Sequence, residues 1–315
     1  MFRIAGETFF VYFLGTAGAL PTPHRNPSSL LVKRGSDTFL FDCGEGTQQQ
    51  MMRARTGFAI DGIFITHWHA DHFLGIFGII ETLGFIGREE PLVIYGPKWV
   101  RELVNHIYTL SKNNIRFPVI AHELEHGDII SFDGYHIRAF ATDHGLESLG
   151  YILREDERPG RFDRERAIEL GVPSGPLFGK LQSGEEVRLV RDGREFAVRP
   201  GDVMGPPRPG RTFVYTGDTR PNCNVWKDWA MGADLLVHDA TFDDAEATRA
   251  AEVFHSTAGE AGATARKLSA GMLALVHISS RYTSTANHIR DAKEHFEGKV
   301  FVPDDLKKVE LPFRG

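Results

Sequence analysis

Cysteine is scarce in this 315-residue sequence. Cys43 and Cys223 are the only two, far apart and without Cys-x-x-Cys spacing. They exclude a disulfide framework and suit a reducing compartment. No apolar run approaches the ~18 residues that a membrane crossing needs. No fixed-period repeat is visible, which removes solenoids and propellers. A basic excess is missing as well. Lys plus Arg total 36 against 42 Asp plus Glu, a net charge of -6, whereas nucleic-acid binders usually carry a basic face. That last exclusion is incomplete, because net charge is a sum and binding uses a patch.

What is present is ordinary for a globular chain: 42% hydrophobic and 25% charged residues. The length suits one large domain or two modest ones. Residues 9–14 are apolar and Ala17-Gly18-Ala19 has the look of a cleavage site. The run is short for a secretory leader and Glu7 precedes it, so it reads as a first buried strand and the expected location is the cytoplasm.

Short β-rich runs separated by glycine turns follow at 29–33, 38–41, 62–66 and 92–95, with helices expected over 48–55, 72–83 and 98–111. Strand signals resume at 128–132 and 135–142, joined by the hairpin pair Asp133-Gly134, and continue at 149–154. Further strands are expected at 212–216, 234–238 and 272–277, with helices near 257–268 and 283–296. Both halves mix strands and helices. This predicts an α/β fold of two sheets packed face to face with helices outside.

Between Arg154 and Arg211 the composition changes. Gly, Pro and Arg accumulate, long apolar runs disappear, and 12 basic residues meet 11 acidic ones. The one helical signal is 162–170, ended by Gly171 and Pro173. Long irregular stretches inside compact domains are usually functional or disordered. Residues 155–210 are therefore read as a protruding flexible arm inserted in a single domain spanning 1–315. The acid excess lies outside this arm. The charge distribution thus predicts little general affinity for nucleic acid, with binding confined to the arm and a metal cleft, where bound cations add positive charge.

That metal cleft rests on one segment. The β-rich run at Phe64-Ile65-Thr66 is followed by His67-Trp68-His69-Ala70-Asp71-His72, four metal-capable side chains within six residues. His67 and His69, two apart, project to one side of an extended chain, while Asp71 and His72 open a helix and point differently. Such a loop can serve two adjacent metals, one taking His67 and His69, the other Asp71 and His72. Imidazole with carboxylate suits zinc, with manganese or iron as alternatives. Other strand ends supply more candidates: His144, Asp218 and His277 each follow an apolar strand signal. A glycine turn near Gly15 faintly suggests a dinucleotide site, but Gly15-x-x-Gly18 lacks the required order and Pro21, Pro23 and Pro27 prevent the helix.

His-x-His-x-Asp-His followed by isolated His, Asp and His resembles the metallo-β-lactamase superfamily. Within it, residues 13–19 running into Arg25-Asn26-Pro27-Ser28-Ser29, then Asp42-Cys43-Gly44-Glu45-Gly46-Thr47-Gln48, Thr216-Gly217-Asp218-Thr219-Arg220 and His277-Ile278-Ser279-Ser280-Arg281-Tyr282, are similar to the short form of the ribonuclease Z family. The resemblance covers about residues 9–303. It implies an αββα sandwich and two zinc ions per subunit: His67, His69 and His144 on one, Asp71, His72 and His277 on the other, Asp218 bridging. It also implies an endonuclease that removes 3′ trailers from precursor tRNA after the discriminator nucleotide, leaving a tRNA 3′-hydroxyl and a trailer 5′-phosphate. In that family Asp71 would be the proton acceptor and His255 the donor, with Asp239 steadying His255 where glutamate is common.

The same resemblance makes the arm an exosite that grips the tRNA elbow, with Gly175, Pro176 and Lys180 among the substrate contacts. Arg25, Asn26, Ser280 and Arg281 would be others, and a homodimer would let one subunit's arm serve its partner. Pro23 departs from the family loop, where lysine is common. Two other readings compete. A β-lactamase, thioesterase or small phosphodiester hydrolase would share the ligands without needing the arm, and a metal-bound RNA-binding protein would not need Asp71.

Overall fold

Alternation of side chains along each strand decides the layering. In the computed structural model, which describes residues 7–110, 115–191 and 193–314, Phe9, Val11 and Phe13 face one way from their strand while Tyr12 and Leu14 face the other. The same division repeats at Leu30/Val32 against Leu31, and at Phe39/Phe41 against Leu40. A sheet with two apolar faces must be covered on both.

The first sheet orders its seven strands as Lys307–Glu310, Phe9–Gly15, Ser29–Arg34, Asp37–Phe41, Gly62–Phe64, Leu92–Gly96 and Val119–Glu123. The second runs Lys299–Phe301, Met272–Val276, Leu235–Asp239, Thr212–Tyr215, Leu149–Glu155, Tyr135–Ala141 and Ile129–Phe132. Their inner faces share one aromatic core, with Phe41 against Phe213 at 5.5 Å and Phe64 against Tyr151 at 5.2 Å between ring centroids. Helices Thr47–Ala54, Gly75–Phe85 and Val100–Leu110 bury their apolar stripes on the outer face of the first sheet. Helices Ala258–Lys267 and Ala286–His295 cover the second, largely through alanines that allow close approach. The result is the four-layer αββα arrangement expected.

Most expected elements appear within a residue or two. Two differ for physical reasons. The helix expected over 72–83 is broken into Ala70–Phe73 and Gly75–Phe85, because the Gly75 N–H is taken by the Cys43 carbonyl. The strand expected at 62–66 ends at Phe64, since Ile65 and Thr66 turn their backbone toward Tyr95 and Asp42. Ser111, at the end of an expected helix, lies outside the described residues. Strands Val119–Glu123, Lys299–Phe301 and Lys307–Glu310 were not expected.

Residues 155–210, together with Arg314, form a second compact unit. The single helix foreseen there is an underestimate. Helices Arg164–Glu169, Pro176–Gln182 and Pro200–Val203 accompany a hairpin of Val187–Arg191 and Arg194–Val198. They share a small core of Ala167, Val172, Leu181, Val187, Val198 and Val203. Asp163 caps the first helix by accepting from the Arg166 N–H at 2.8 Å. The sequence hides this core because its apolar residues come singly between polar ones.

Candidate metal centre

Parallel strands end together, so the loops after them meet at one rim of the sandwich. Asp42 follows Asp37–Phe41, and His67 and His69 follow Gly62–Phe64. On the second sheet Asp218 follows Thr212–Tyr215, Asp239 closes Leu235–Asp239 and His277 follows Met272–Val276. His144 comes from the turn after Tyr135–Ala141, and His255 precedes helix Ala258–Lys267. These loops surround an open cavity of about 550 Å³ lined by His69, Asp71, His144, Asp218, His255 and His277 among others.

The ring nitrogens are sorted by their partners. The Asp42 carboxylate accepts from the Thr66 N–H at 2.8 Å, from the Tyr215 hydroxyl at 2.7 Å and from His72 Nδ1 at 2.7 Å. Thr66 Oγ1 donates to the same carboxylate and meets His67 Nδ1 at 2.9 Å, so that nitrogen carries the proton. His144 Nδ1 donates to the Phe254 carbonyl at 2.9 Å. Thr241 Oγ1 donates to Asp239 Oδ1 at 2.7 Å and accepts from His277 Nδ1 at 2.8 Å. Four imidazoles therefore have their Nδ1 protons engaged, and their Nε2 lone pairs point inward.

They converge on one carboxylate oxygen. Asp218 Oδ2 lies 3.6 Å from His67 Nε2, 3.3 Å from His72, 3.5 Å from His144 and 3.3 Å from His277. Buried lone pairs facing a buried carboxylate repel unless a cation lies between them. His72 Nε2 has no hydrogen-bond partner at all, and a native protein rarely leaves a buried ring nitrogen in that state. Among the described residues, the groups that could hold a metal ion all lie here. They are His67, His69, His144 with Asp218; Asp71, His72 with His277; and Asp218, His255 with His277. The donor set of neutral imidazole and carboxylate fits zinc. Burial holds His67 well below its usual pKa, so it is neutral as a ligand must be.

The remaining groups frame this cluster. Asp71 Oδ2 accepts from the Ala19 N–H at 2.8 Å and lies 3.2 Å from His277 Nε2. His255 Nδ1 meets Asp239 Oδ2 at 2.8 Å, so aspartate reaches it without the extra methylene of glutamate. Burial alone would lower the His255 pKa; the Asp239 carboxylate outweighs it and the ring is pushed up to about 9. Arg220 braces the loop from behind, donating to the His255 carbonyl and pairing with Glu260.

Backbone strain gathers at the same place. Ala19, Asp42, Phe254 and His277 all have φ between 55° and 62°, the left-handed region that disfavours side chains. At Gly18 a Cβ would fall 2.6 Å from the His277 carbonyl oxygen, so only glycine lets this loop cross the ligand. The strand pair Ala17–Gly18 with Ile278–Ser279 fastens that crossing.

All seven ligand candidates and His255 thus come together. The chain spans nearly the whole of the proteins it resembles. It is 51% identical to a ribonuclease Z of Methanosarcina acetivorans over 96% of this chain and 98% of that protein. It is equally 51% identical to a ribonuclease Z of Myxococcus xanthus, over 96% of this chain and 97% of that one. The chain belongs to the ribonuclease Z family. It is accordingly an enzyme, a metal-dependent endoribonuclease of the hydrolase class. A crystal structure of the short form of human tRNase Z superposes with a TM-score of 0.70, 26% identity and coverage of 96% of this chain and 100% of that one. A family model described as anti-Pycsar protein Apyc1 also matches residues 9–158. No helix among the described residues is long and apolar enough to cross a membrane.

Arg25, Asn26, Ser280 and Arg281, expected to touch substrate, are not among the residues that line the cavity. Arg25 donates to Thr16 Oγ1 and the Pro303 carbonyl, both at 2.6 Å, and pairs with Asp304. The Asn26 N–H is held by Asp305 at 2.7 Å. Both residues fasten their own loop. Ser280 is exposed, and Arg281 pairs with Glu246 at 3.1 Å. Gly175, Pro176 and Lys180 open and line a helix of the 155–210 unit, Gly175 at its start with φ 144°. Four contributors escaped the sequence reading: the Asp42 carboxylate, Thr66, Tyr215 and Thr241. Asp42 had a visible signal, in the segment 42–48.

Proposed function

We propose that this chain is a zinc-dependent endoribonuclease that removes 3′ trailers from precursor tRNA, cutting after the discriminator nucleotide to leave a tRNA 3′-hydroxyl and a trailer 5′-phosphate. The observation that carries the reading is the convergence of five histidines and two aspartates, with His255 on their open side, in a chain half-identical to ribonucleases Z. His67, His69 and His144 hold one zinc, Asp71, His72 and His277 the other, and Asp218 lies between both sets. When bound, such a metal pair activates water near neutral pH and neutralises charge on the phosphoryl oxygens.

The chain's own groups do the rest. Asp71, oriented by the Ala19 N–H, takes the proton of the attacking water. His255 delivers a proton to the departing 3′-oxygen. Its Nδ1 is committed to Asp239, so the proton leaves from Nε2. Residues 155–210 act as an insertion within one metallo-β-lactamase domain and hold the body of the tRNA through phosphate and shape contacts at Gly175, Pro176 and Lys180. The working unit is a cytoplasmic homodimer.

A precursor with a 3′ extension tests this directly. Purified protein is expected to make one cut, mapped to the discriminator, that chelator abolishes and zinc restores. No cut, or cuts scattered along the RNA, would overturn the proposal. Deleting residues 160–185 is expected to weaken precursor binding, measured by filter retention, by about tenfold or more while hydrolysis of a small phosphodiester persists. Unchanged affinity would remove the binding role of the insertion.

A further inference from the structure

The side chain of Phe254 has a position that neither folding nor metal binding explains. The residue precedes His255, and its side chain is 44% exposed at the mouth of the cavity, beside Leu146 and Val253. Its backbone is in the left-handed region, with φ 58°, where glycine would sit without strain. A large apolar ring left 44% exposed on a strained backbone gains less from burial than a core ring does.

The ring is nonetheless seated. A Cβ on Gly145 would come within 2.8 Å of the Phe254 ring, so the ring lies directly on that glycine. Gly145 itself has φ 76° and follows the ligand candidate His144. The Phe254 carbonyl accepts from His144 Nδ1, which fixes the chain beneath the ring. One side of the ring is thus propped, and the residue is open to the cavity that also contains Asp71, Asp218 and His255. That cavity, about 550 Å³, is within the roughly 300–1,000 Å³ usual for small-ligand sites and has room for a nucleotide.

We infer that Phe254 is a substrate-binding residue: its exposed ring is a stacking platform for a base flanking the scissile phosphate. This rests on the proposed cleavage of single-stranded 3′ extensions. Bases there lack a duplex neighbour and are recognised by stacking on aromatic side chains. Stacking tolerates any base, so the platform would place the strand without demanding one sequence. It would set the distance between the phosphate and His255, the next residue in the chain.

The test is a double-mutant cycle between protein and RNA. Phe254→Gly fits the left-handed backbone, so folding is not threatened, and Phe254→Tyr keeps the ring. Precursors are made intact, or abasic at the nucleotide before or after the cut. Phe254→Gly is expected to lower kcat/KM on the intact precursor by roughly 5- to 150-fold, and Phe254→Tyr to preserve it. One abasic precursor should cost the wild type a similar factor and the glycine variant nothing further. Equal rates of wild type and Phe254→Gly on the intact RNA would overturn the inference. So would the same loss from Phe254→Gly on intact and both abasic RNAs, since the residue would then act through His144. A wild type that fails to cut the intact precursor would instead bring down the cleavage reading beneath it.

Discussion

Replacing Asp42 by alanine is expected to cost the protein stability and catalysis together. The carboxylate is fully buried and accepts from Thr66, Tyr215 and His72. Removing it strands four donors, the Thr66 N–H and hydroxyl, the Tyr215 hydroxyl and His72 Nδ1, where water does not reach, and breaking a buried charged network typically costs about 3–5 kcal/mol. In a chain of this size that lowers the melting temperature by roughly 5–15 °C. The catalytic loss has a separate cause. Asp42 holds the Nδ1 proton of His72 and so keeps the Nε2 lone pair turned inward. Without that partner the ring can rotate or change tautomer, and loss of such supporting groups typically costs about 10- to 100-fold in metal affinity or activity. Asp42→Asn separates the two effects. It nearly preserves volume, but an amide has a single carbonyl acceptor for what two carboxylate oxygens now receive. It should keep more stability than alanine and lose comparable metal affinity. Thermal unfolding and zinc titration of both variants check this, and wild-type zinc affinity in either would contradict the role assigned.

The ligand set was legible because metal-capable residues clustered at His67–His72 and because each distant candidate followed an apolar strand. Strand ends are readable from alternation, and parallel sheets bring their ends to one rim. The supporting groups were not legible in the same way. Thr66 and Tyr215 look like ordinary strand residues, and Thr241 like a loop hydroxyl. Their partners lie far away in the chain, Tyr215 meeting Asp42 across 173 positions. Phe254 escaped because its meaning depends on a backbone angle and on Gly145, neither of which a sequence displays. Arg25 was expected to touch substrate through the resemblance of segment 25–29 alone. The structure ties it to Pro303 and Asp304, in a segment that signalled no strand or helix. The 155–210 stretch was misjudged in the other direction: a small core of scattered alanine, valine and leucine leaves no periodic trace, so the reading defaulted to irregular chain.

Replacing Asp71 by alanine is expected to abolish cleavage, with turnover down by at least ~10³-fold. General-base catalysis alone is worth about 10²- to 10⁴-fold, and Asp71 is also within ligand distance of His72 and His277. The two roles differ in what they predict for the metal. If Asp71 acts mainly on the proton, Asp71→Asn should bind both zinc ions and remain inactive, because an amide can accept the Ala19 N–H but cannot take a proton from water. If ligation dominates, the asparagine variant should lose one zinc equivalent along with its activity. Precursor affinity should survive in both, since the proposed grip on the tRNA lies in residues 155–210. Turnover on the 3′-extended precursor, zinc content by elemental analysis and precursor binding, measured on one preparation, resolve these outcomes. An alanine variant with more than a tenth of wild-type turnover would remove Asp71 from the chemistry. The Ala19 amide and the strained loop that presents it would then need another purpose.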